Sequence, residues 1–347
     1  MSGRDSRAWV EVDLAAVIEN ARAVAQATGA RLLPIVKANA YGVGAVAVSR
    51  ALETVDPWGY AVATVEEGAE LRAGGITRAV LVLTPARPEL FGAYRAHRLT
   101  PALEDVEALQ AWRESGGGPF HVEIDTGMSR TGVRWDAIES LRDALDTADF
   151  QAAFTQFHSA DRPDDSAEGQ RERFLAAVNR LPRQPALLHA ANSAAAFRGR
   201  KFAFDLVRPG IFLYDGSAPV VSLKARVVSV RRLRRGDTVS YGAGWTTPRD
   251  TTVATIGIGY ADGVRRCLGG RGHVILGGRA CPMVGVVTMD QTMVDAGDGP
   301  VTLGDVATLV GENGGQRISL RDVAGWADTV VWEVLTGLGP RLPRVFR

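Results

Sequence analysis

Between residue 9 and about residue 212, short apolar runs rich in β-branched residues alternate with amphipathic stretches of helical period. The runs Trp9–Val12, Leu32–Val36, Gly59–Ala61, Ala79–Leu83, Phe120–Ile124, Phe150–Thr155, Ala186–Leu188 and Phe204–Val207 read as strands. Between them "DLAAVIENARAVAQAT", with Asp13 at its N-cap, "EEGAELRAG", "LEDVEALQAW" and "AEGQRERFLAAVNR" place apolar residues at the spacing of a helix face. Strand–helix alternation repeated about eight times over roughly 210 residues predicts a parallel sheet with helical crossovers, closed into a (β/α)8 TIM-like barrel. An open doubly wound sheet is the runner-up, but no G-x-G-x-x-G follows the first strand to support it.

After Ser217 the pattern changes. "SLKARVVSVRRLRRGDTVSYG", "TTVATIGIGYADG", "HVILGGRACPMVGVVTMDQTMVDA" and "VTLGDVATLVG" are β-branched runs divided by Gly and Asp turns, with one helical stretch, "SLRDVAGWAD". These features predict a mostly antiparallel β domain at 218–347 behind a barrel at 1–217, with the first strand free to pack on the second domain.

Composition narrows the function classes. The 40 Lys+Arg against 39 Asp+Glu leave a net charge of +1, and no basic run is interleaved with aromatics, which argues against nucleic acid as a partner. "MSGRDSRAWVEVDL" lacks the apolar core of a signal peptide, and no apolar run reaches membrane-spanning length, so a cytoplasmic protein with no membrane partner is expected. Cys267 and Cys281 make no disulfide framework, and no Cys/His spacing resembles a metal site.

Of the 40 basic residues, three are lysine: Lys37, Lys201 and Lys224. Lys37 stands at the end of the apolar run in "LPIVKANAYGVG". In a (β/α)8 barrel the C-terminal strand ends form the active face. Lys37, Asp125, Arg130, His158, Asn192, Ser193 and Arg208 all follow predicted strands and so share one rim. Singly, each would serve as a cap or an ion-pair partner; their convergence favours a site. A desolvated lysine loses its proton more readily and can attack a carbonyl, which an always-protonated arginine cannot do. That chemistry suggests a Schiff base, with substrate or with pyridoxal phosphate. "RPGIFLYDG" decides for the cofactor: Gly210 permits close backbone approach, and the amides of Gly210 and Ile211 would open a short helix, where a phosphate sits in this fold.

From about Trp9 to Arg344 the chain resembles the alanine racemase family, the fold-type III pyridoxal phosphate enzymes. The resemblance rests on "VKANAYG", "DTGMSRTGV", "QFHSAD", "HAANSAA", "RPGI", "VSYG", "IGYADG" and "TMDQ", in the family's order. It implies that Lys37 bonds pyridoxal 5'-phosphate, that Tyr41, Ser193, Gly210 and Ile211 contact the phosphate, and that Arg208 faces the pyridine nitrogen, supported by His158. It implies a homodimer with shared active sites, in which Tyr241 from the partner's second domain is the second base beside Lys37. Arg130 would orient the substrate carboxylate, and Tyr260 and Met289 would line the substrate entrance. The implied reaction is interconversion of L- and D-alanine for peptidoglycan. Racemases of specialised metabolism acting on another amino acid are the alternative. A single-barrel cofactor-binding protein would lack the β domain, and decarboxylases of this fold type set a glutamate, not an arginine, at the pyridine.

Several positions depart from the family pattern. Glu123 stands where many relatives carry a carbamylated lysine, and Pro340 where some have a phosphate-binding tyrosine. Val286 and Thr288 replace a common Arg and Cys, the connection from Tyr214 to Ser222 is short, and Val43 replaces a histidine.

Overall fold

The computed structural model describes residues 5–147 and 149–347, and the expected domain boundary at residue 1 lies outside them. The chain divides into a barrel unit, residues 17–40 and 45–213, and a β unit comprising residues up to 16, 41–44 and 214–347.

The strand β1 (Ala8–Val12), counted among the barrel strands but left free to pack on the second domain, belongs to the β unit: it pairs antiparallel with Val221–Ala225 and parallel with Arg344–Phe346. All five of its residues are buried. The barrel is built from β2 (Arg31–Leu32), β3 (Gly59–Val62), β4 (Ala79–Pro85), β5 (Thr100–Leu103), β6 (Phe120–Asp125) with the short β7 (Val133–Arg134) on its end, β8 (Phe150–Phe154), β9 (Leu187–His189) and β10 (Leu206–Val207). They form one parallel row, β2-β10-β9-β8-β6-β5-β4-β3. A bridge between Ile35 and Ala61 joins its two ends, with Val36 N–H donating to the Ala61 carbonyl at 2.9 Å and Ala61 N–H to that of Pro34 at 2.9 Å. The strand missing from the sequence reading is β5, "TPAL", whose proline argues against a central strand.

The helices start where their caps predict. Asp13 accepts from Ala16 N–H at 2.9 Å ahead of Leu14–Thr28, and Asp105 from Ala108 N–H at 2.7 Å ahead of Val106–Glu114. Thr64 and Glu67 form a capping box on Val65–Ala73.

In the β unit, β11 (Val221–Leu233) pairs with both β14 (Thr251–Ile256) and β18 (Val306–Asn313). Between them the row runs through β15 (His273–Leu276), β16 (Arg279–Val284) and β17 (Thr292–Gly297), so six antiparallel strands close a ring. A separate ribbon, β12 (Thr238–Val239) with β13 (Trp245–Thr246), stands off this ring. The strands β19 (Gln316–Ile318) and β20 (Arg344–Phe346) extend the sheet at its two edges.

Two turns of this unit are tied together. The buried Asp262 carboxylate accepts from Arg7 at 2.7 and 3.0 Å, from Arg341 Nε at 2.9 Å and from Gly259 N–H at 3.0 Å, while Arg341 also reaches Asp290 at 2.8 Å. Tyr260 N–H donates to the Thr288 carbonyl at 2.9 Å and Ala261 N–H to that of Met289 at 3.0 Å. A Cβ on Gly259 would collide with the Thr288 and Met289 backbone. Gly259→Ala should therefore destabilise the protein by about 1–3 kcal/mol, read as a lower urea midpoint; a midpoint equal to that of the wild type would show that the two turns are not tightly coupled.

Candidate active site

Lys37 follows Val36 directly after the bridge that closes the barrel row. Burial holds its amine below the ordinary lysine range, the positive charges of Arg130 and Arg208 push it the same way, and Glu67 opposes them. After it the backbone makes a left-handed turn: Ala38, Asn39, Ala40 and Tyr41 all have φ between 51° and 56°. The left-handed conformation costs a non-glycine residue roughly 1–2 kcal/mol, so this turn must be held by its surroundings. Ala40 N–H donates to the Val36 carbonyl at 2.8 Å, and the Asn39 side chain accepts from Ala45 N–H at 2.8 Å.

Arg208, at the end of β10, is 3% exposed. Its guanidinium donates to His189 Nδ1 at 2.7 Å, the Thr155 carbonyl at 2.8 Å, Gln156 Oε1 at 2.9 Å and the Ala190 carbonyl at 3.1 Å. The expected support from His158 is not what holds it. His158 is exposed and its Nδ1 meets Ser159 Oγ at 2.7 Å. The side chains at Arg208 are His189 and Gln156, two residues before His158 on the same segment. Burial lowers the Arg208 pKa to about 10, which still leaves it fully protonated at neutral pH.

Because arginine only donates, the hydrogen bond from Arg208 makes His189 Nδ1 an acceptor. His189 Nε2–H then donates to His121 Nδ1 at 3.0 Å, and His121 Nε2–H to Gln151 Oε1 at 3.1 Å. Both imidazoles are fully buried and held neutral: desolvation and the Arg208 charge push His189 well below the ordinary histidine range, and desolvation takes His121 to about 4. Phe154 stacks on His189 with centroids 4.8 Å apart and planes at 5°.

The loop after β6 carries Arg130. Asp125 Oδ1 accepts from Gly127 N–H at 2.9 Å and Ser129 N–H at 3.0 Å, and Gln170 ties Thr126 Oγ1 at 3.1 Å to the Gln156 carbonyl at 3.0 Å. Arg130 is exposed and lines an open cleft with Asp125 and Glu104. The Glu123 carboxylate is buried; it accepts from Thr131 Oγ1 at 2.9 Å and interacts with Arg130 by charge. Burial raises its pKa, against the hydrogen bond and the two arginines.

Ser193 Oγ accepts from Gly210 N–H at 3.0 Å and from Phe212 N–H at 3.3 Å, drawing the start of the short helix Ile211–Tyr214 to the start of Ser193–Ala196. Asn192, on the expected rim, caps that second helix by accepting from Ala195 N–H at 3.0 Å. The barrel unit thus unites an amine of depressed pKa, a permanent buried donor, and a hydroxyl with backbone amides at helix starts. That donor set fits pyridoxal phosphate: the amine for its aldehyde, Arg208 for its ring nitrogen, and Ser193, Gly210 and Ile211 for its phosphate.

The remaining expected site residues belong to the β unit. Tyr41 is buried with its ring 4.9 Å from Tyr214, and burial pushes its phenol up to about 12. Tyr241 is 75% exposed and lies between β12 and β13; Tyr260 and Met289 are also exposed. Ser240 before Tyr241 has φ 72°, and its hydroxyl donates to the Val286 carbonyl at 2.8 Å. The Thr288 hydroxyl donates to the Gln291 carbonyl at 2.9 Å, closing the "TMDQ" turn. Val43 is fully buried and Pro340 exposed. His189, His121, Gln156 and Glu67 are the site residues that sequence reasoning missed. His189 opens the quoted "HAANSAA", and its place directly after the predicted strand Ala186–Leu188 was its available signal. Among the described residues no group of His, Cys, Asp and Glu is arranged to hold a metal ion, and no helix is long and apolar enough to cross a membrane.

Comparison with known proteins matches the chain to two family models, the alanine racemase N-terminal domain over residues 12–218 and the alanine racemase C-terminal domain over 220–346. The alanine racemase of Symbiobacterium thermophilum is 39% identical over 364 residues, spanning 97% of this chain and 96% of that protein. Among solved structures, alanine racemase from E. faecalis superposes with a TM-score of 0.93 at 30% identity, covering 100% of both chains. Alanine racemase from Bartonella henselae with covalently bound pyridoxal phosphate gives 0.91 at 29%, covering 99% of this chain and 100% of that one.

The neutral histidines make stability depend on pH. Their folded pKa values lie below the unfolded ones, so their contribution is complete above about pH 6.5 and is lost as the pH falls toward the value of about 4 at His121. Each should cost about 1.4 kcal/mol per pH unit across that window. Urea midpoints measured from pH 7 to pH 5 should fall steeply, and less steeply in His121→Gln; equal slopes would mean that His121 is charged in the folded protein.

Proposed function

The chain belongs to the alanine racemase family across both of its domains, and from that premise we propose that it interconverts L- and D-alanine with pyridoxal phosphate, as a cytoplasmic homodimer that supplies D-alanine for peptidoglycan. The observation that carries the reading is the joint position of Lys37 and Arg208: an amine made easier to deprotonate, coupled by charge to a buried guanidinium that stays protonated at neutral pH.

When bound, the cofactor stabilises negative charge at the substrate Cα. This chain's residues supply binding, orientation and proton movement. Lys37 Nζ would hold the cofactor by its aldehyde and, when free of it, would carry the substrate Cα proton on one face. Tyr241 of the partner subunit moves it on the other, since racemisation needs a base on each side. Burial and the two arginines favour the neutral amine that the first role requires. Arg208 would face the ring nitrogen and donate to it without giving up a proton, a pairing that would restrain the ring as an electron sink and disfavour side reactions. Ser193, with the Gly210 and Ile211 amides and the Tyr41 hydroxyl, holds the phosphate. Arg130 orients the substrate carboxylate, and Tyr260 and Met289 of the partner subunit line the entrance. His158 keeps no role at Arg208; Gln156 takes it. Glu123 steadies Arg130 through charge, as an unmodified carboxylate.

The test is to purify the protein, confirm visible absorbance that borohydride abolishes, and scan L-amino acids in deuterated water for Cα exchange and D-product. Exchange and racemisation centred on alanine support the reading; activity centred on another amino acid would replace the substrate, and absorbance without exchange on any amino acid would leave a cofactor-binding protein. Tyr241→Phe should lower racemisation roughly 100- to 10,000-fold while exchange persists from one enantiomer; equal loss of exchange from both would sink the two-base scheme. Glu123→Gln should lower kcat/KM about ten-fold, or ~1.4 kcal/mol, and unchanged kinetics would remove Glu123 from the mechanism.

A further inference from the structure

Glu67 is the N3 residue of a capping box, and in that role one carboxylate oxygen suffices: Oε2 accepts from Ala63 N–H at 2.7 Å and Thr64 N–H at 3.3 Å, while Thr64 Oγ1 caps Glu67 N–H at 3.3 Å. The second oxygen is engaged elsewhere in the fold. Oε1 accepts from Ala38 N–H at 2.6 Å, from the residue that follows Lys37 and opens the left-handed turn. The side chain thus ties the loop after β3 to the loop carrying Lys37. Its charge also faces the lysine amine, against Arg130 and Arg208 on the other side of the balance.

We propose that Glu67 is a positioning residue for Lys37: it pins the left-handed turn through Ala38 and sets a negative charge against the two arginines that surround the amine. The proposal rests on Lys37 being the cofactor's lysine. A conventional cap would stabilise Val65–Ala73 and leave Lys37 unaffected, so the two roles separate experimentally. Thr64→Ala removes the hydroxyl half of the capping box and leaves the Glu67 carboxylate in place. Glu67→Gln removes the charge and one acceptor, and Glu67→Ala removes the whole clamp.

The experiment uses cofactor-stripped full-length protein, pyridoxal phosphate and borohydride. The trapping rate is followed against pH, and the modified lysine is assigned among Lys37, Lys201 and Lys224 by peptide mass. Hydrogen exchange at Ala38–Tyr41 is measured on the same proteins. In wild type, trapping falls on Lys37 and rises with pH as the amine deprotonates. Glu67→Gln should move the midpoint of that rise down by about one unit. Glu67→Ala should in addition slow trapping on the high-pH plateau and speed exchange at Ala38–Tyr41 by about ten-fold or more. Thr64→Ala should lower thermal stability and keep the wild-type profile and exchange. Overlaid profiles and exchange in wild type and both Glu67 variants overturn the proposal, as does a shift in Thr64→Ala equal to that in Glu67→Gln. Wild-type trapping at Lys201 or Lys224 would instead defeat the reading of Lys37, and the exchange at Ala38–Tyr41 would then decide the clamp alone.

Discussion

A guanidinium buried in the core of a barrel organises this site. An ion there loses its hydration, and the loss is tolerable only when hydrogen bonds replace it. Arg208 has four acceptors within 3.1 Å, two carbonyls and two side chains. Because it cannot accept a hydrogen bond, it orders the polar core beyond it. The bond at His189 Nδ1 fixes one tautomer, that tautomer fixes the next at His121, and the sequence ends on Gln151. Burial is the main reason that both imidazoles stay neutral and that the Lys37 amine loses its proton more easily, and the Arg208 charge adds to it in all three.

Much of this was legible in the chain, and the failures have physical causes. Lys37 and Arg208 stand where strands end, a position that periodicity finds. At Arg208 the resemblance points to His158, but the side chains that meet the guanidinium are His189 and Gln156, the latter two residues before His158 on the same segment. His189 was hidden inside a motif read as a string. The eight strands were counted correctly but not identified correctly, since "AWVEV" is as apolar as a barrel strand and "TPAL" carries a proline. Pairing partners, and not local pattern, decide to which sheet such a run belongs. The roles proposed for Tyr241 and Met289 rest on the family resemblance alone, since no local feature points to them.

The departures from the family pattern sort by environment. Val43 is fully buried, and there an apolar residue is what packing asks for. Thr288 closes its own turn through Gln291, so its hydroxyl has a structural partner. Glu123 differs in kind: its carboxylate is buried, raised by desolvation, and balanced by Thr131 and the charges of Arg130 and Arg208. Such a group acts through charge even without a direct bond to the arginine.

Tyr241 presents the opposite problem to Arg208. A phenol that moves protons needs to be shielded from water and close to a cation, yet on this chain alone it is three-quarters exposed. The segment holding it is far from relaxed. Ser240 occupies a left-handed φ that a serine rarely adopts, Gly242 and Ala243 follow with positive φ, and the Ser240 hydroxyl is fastened to the Val286 carbonyl. Gly285 must lack a Cβ for Ser240 to sit there. Strain of this sort persists where the surrounding structure over-determines it, and it clusters at functional sites. The ring is thus held outward on a strained, fastened turn. It becomes intelligible if its target lies on another copy of the chain, whose barrel would supply the lysine, the arginines and the shelter from water that this phenol lacks.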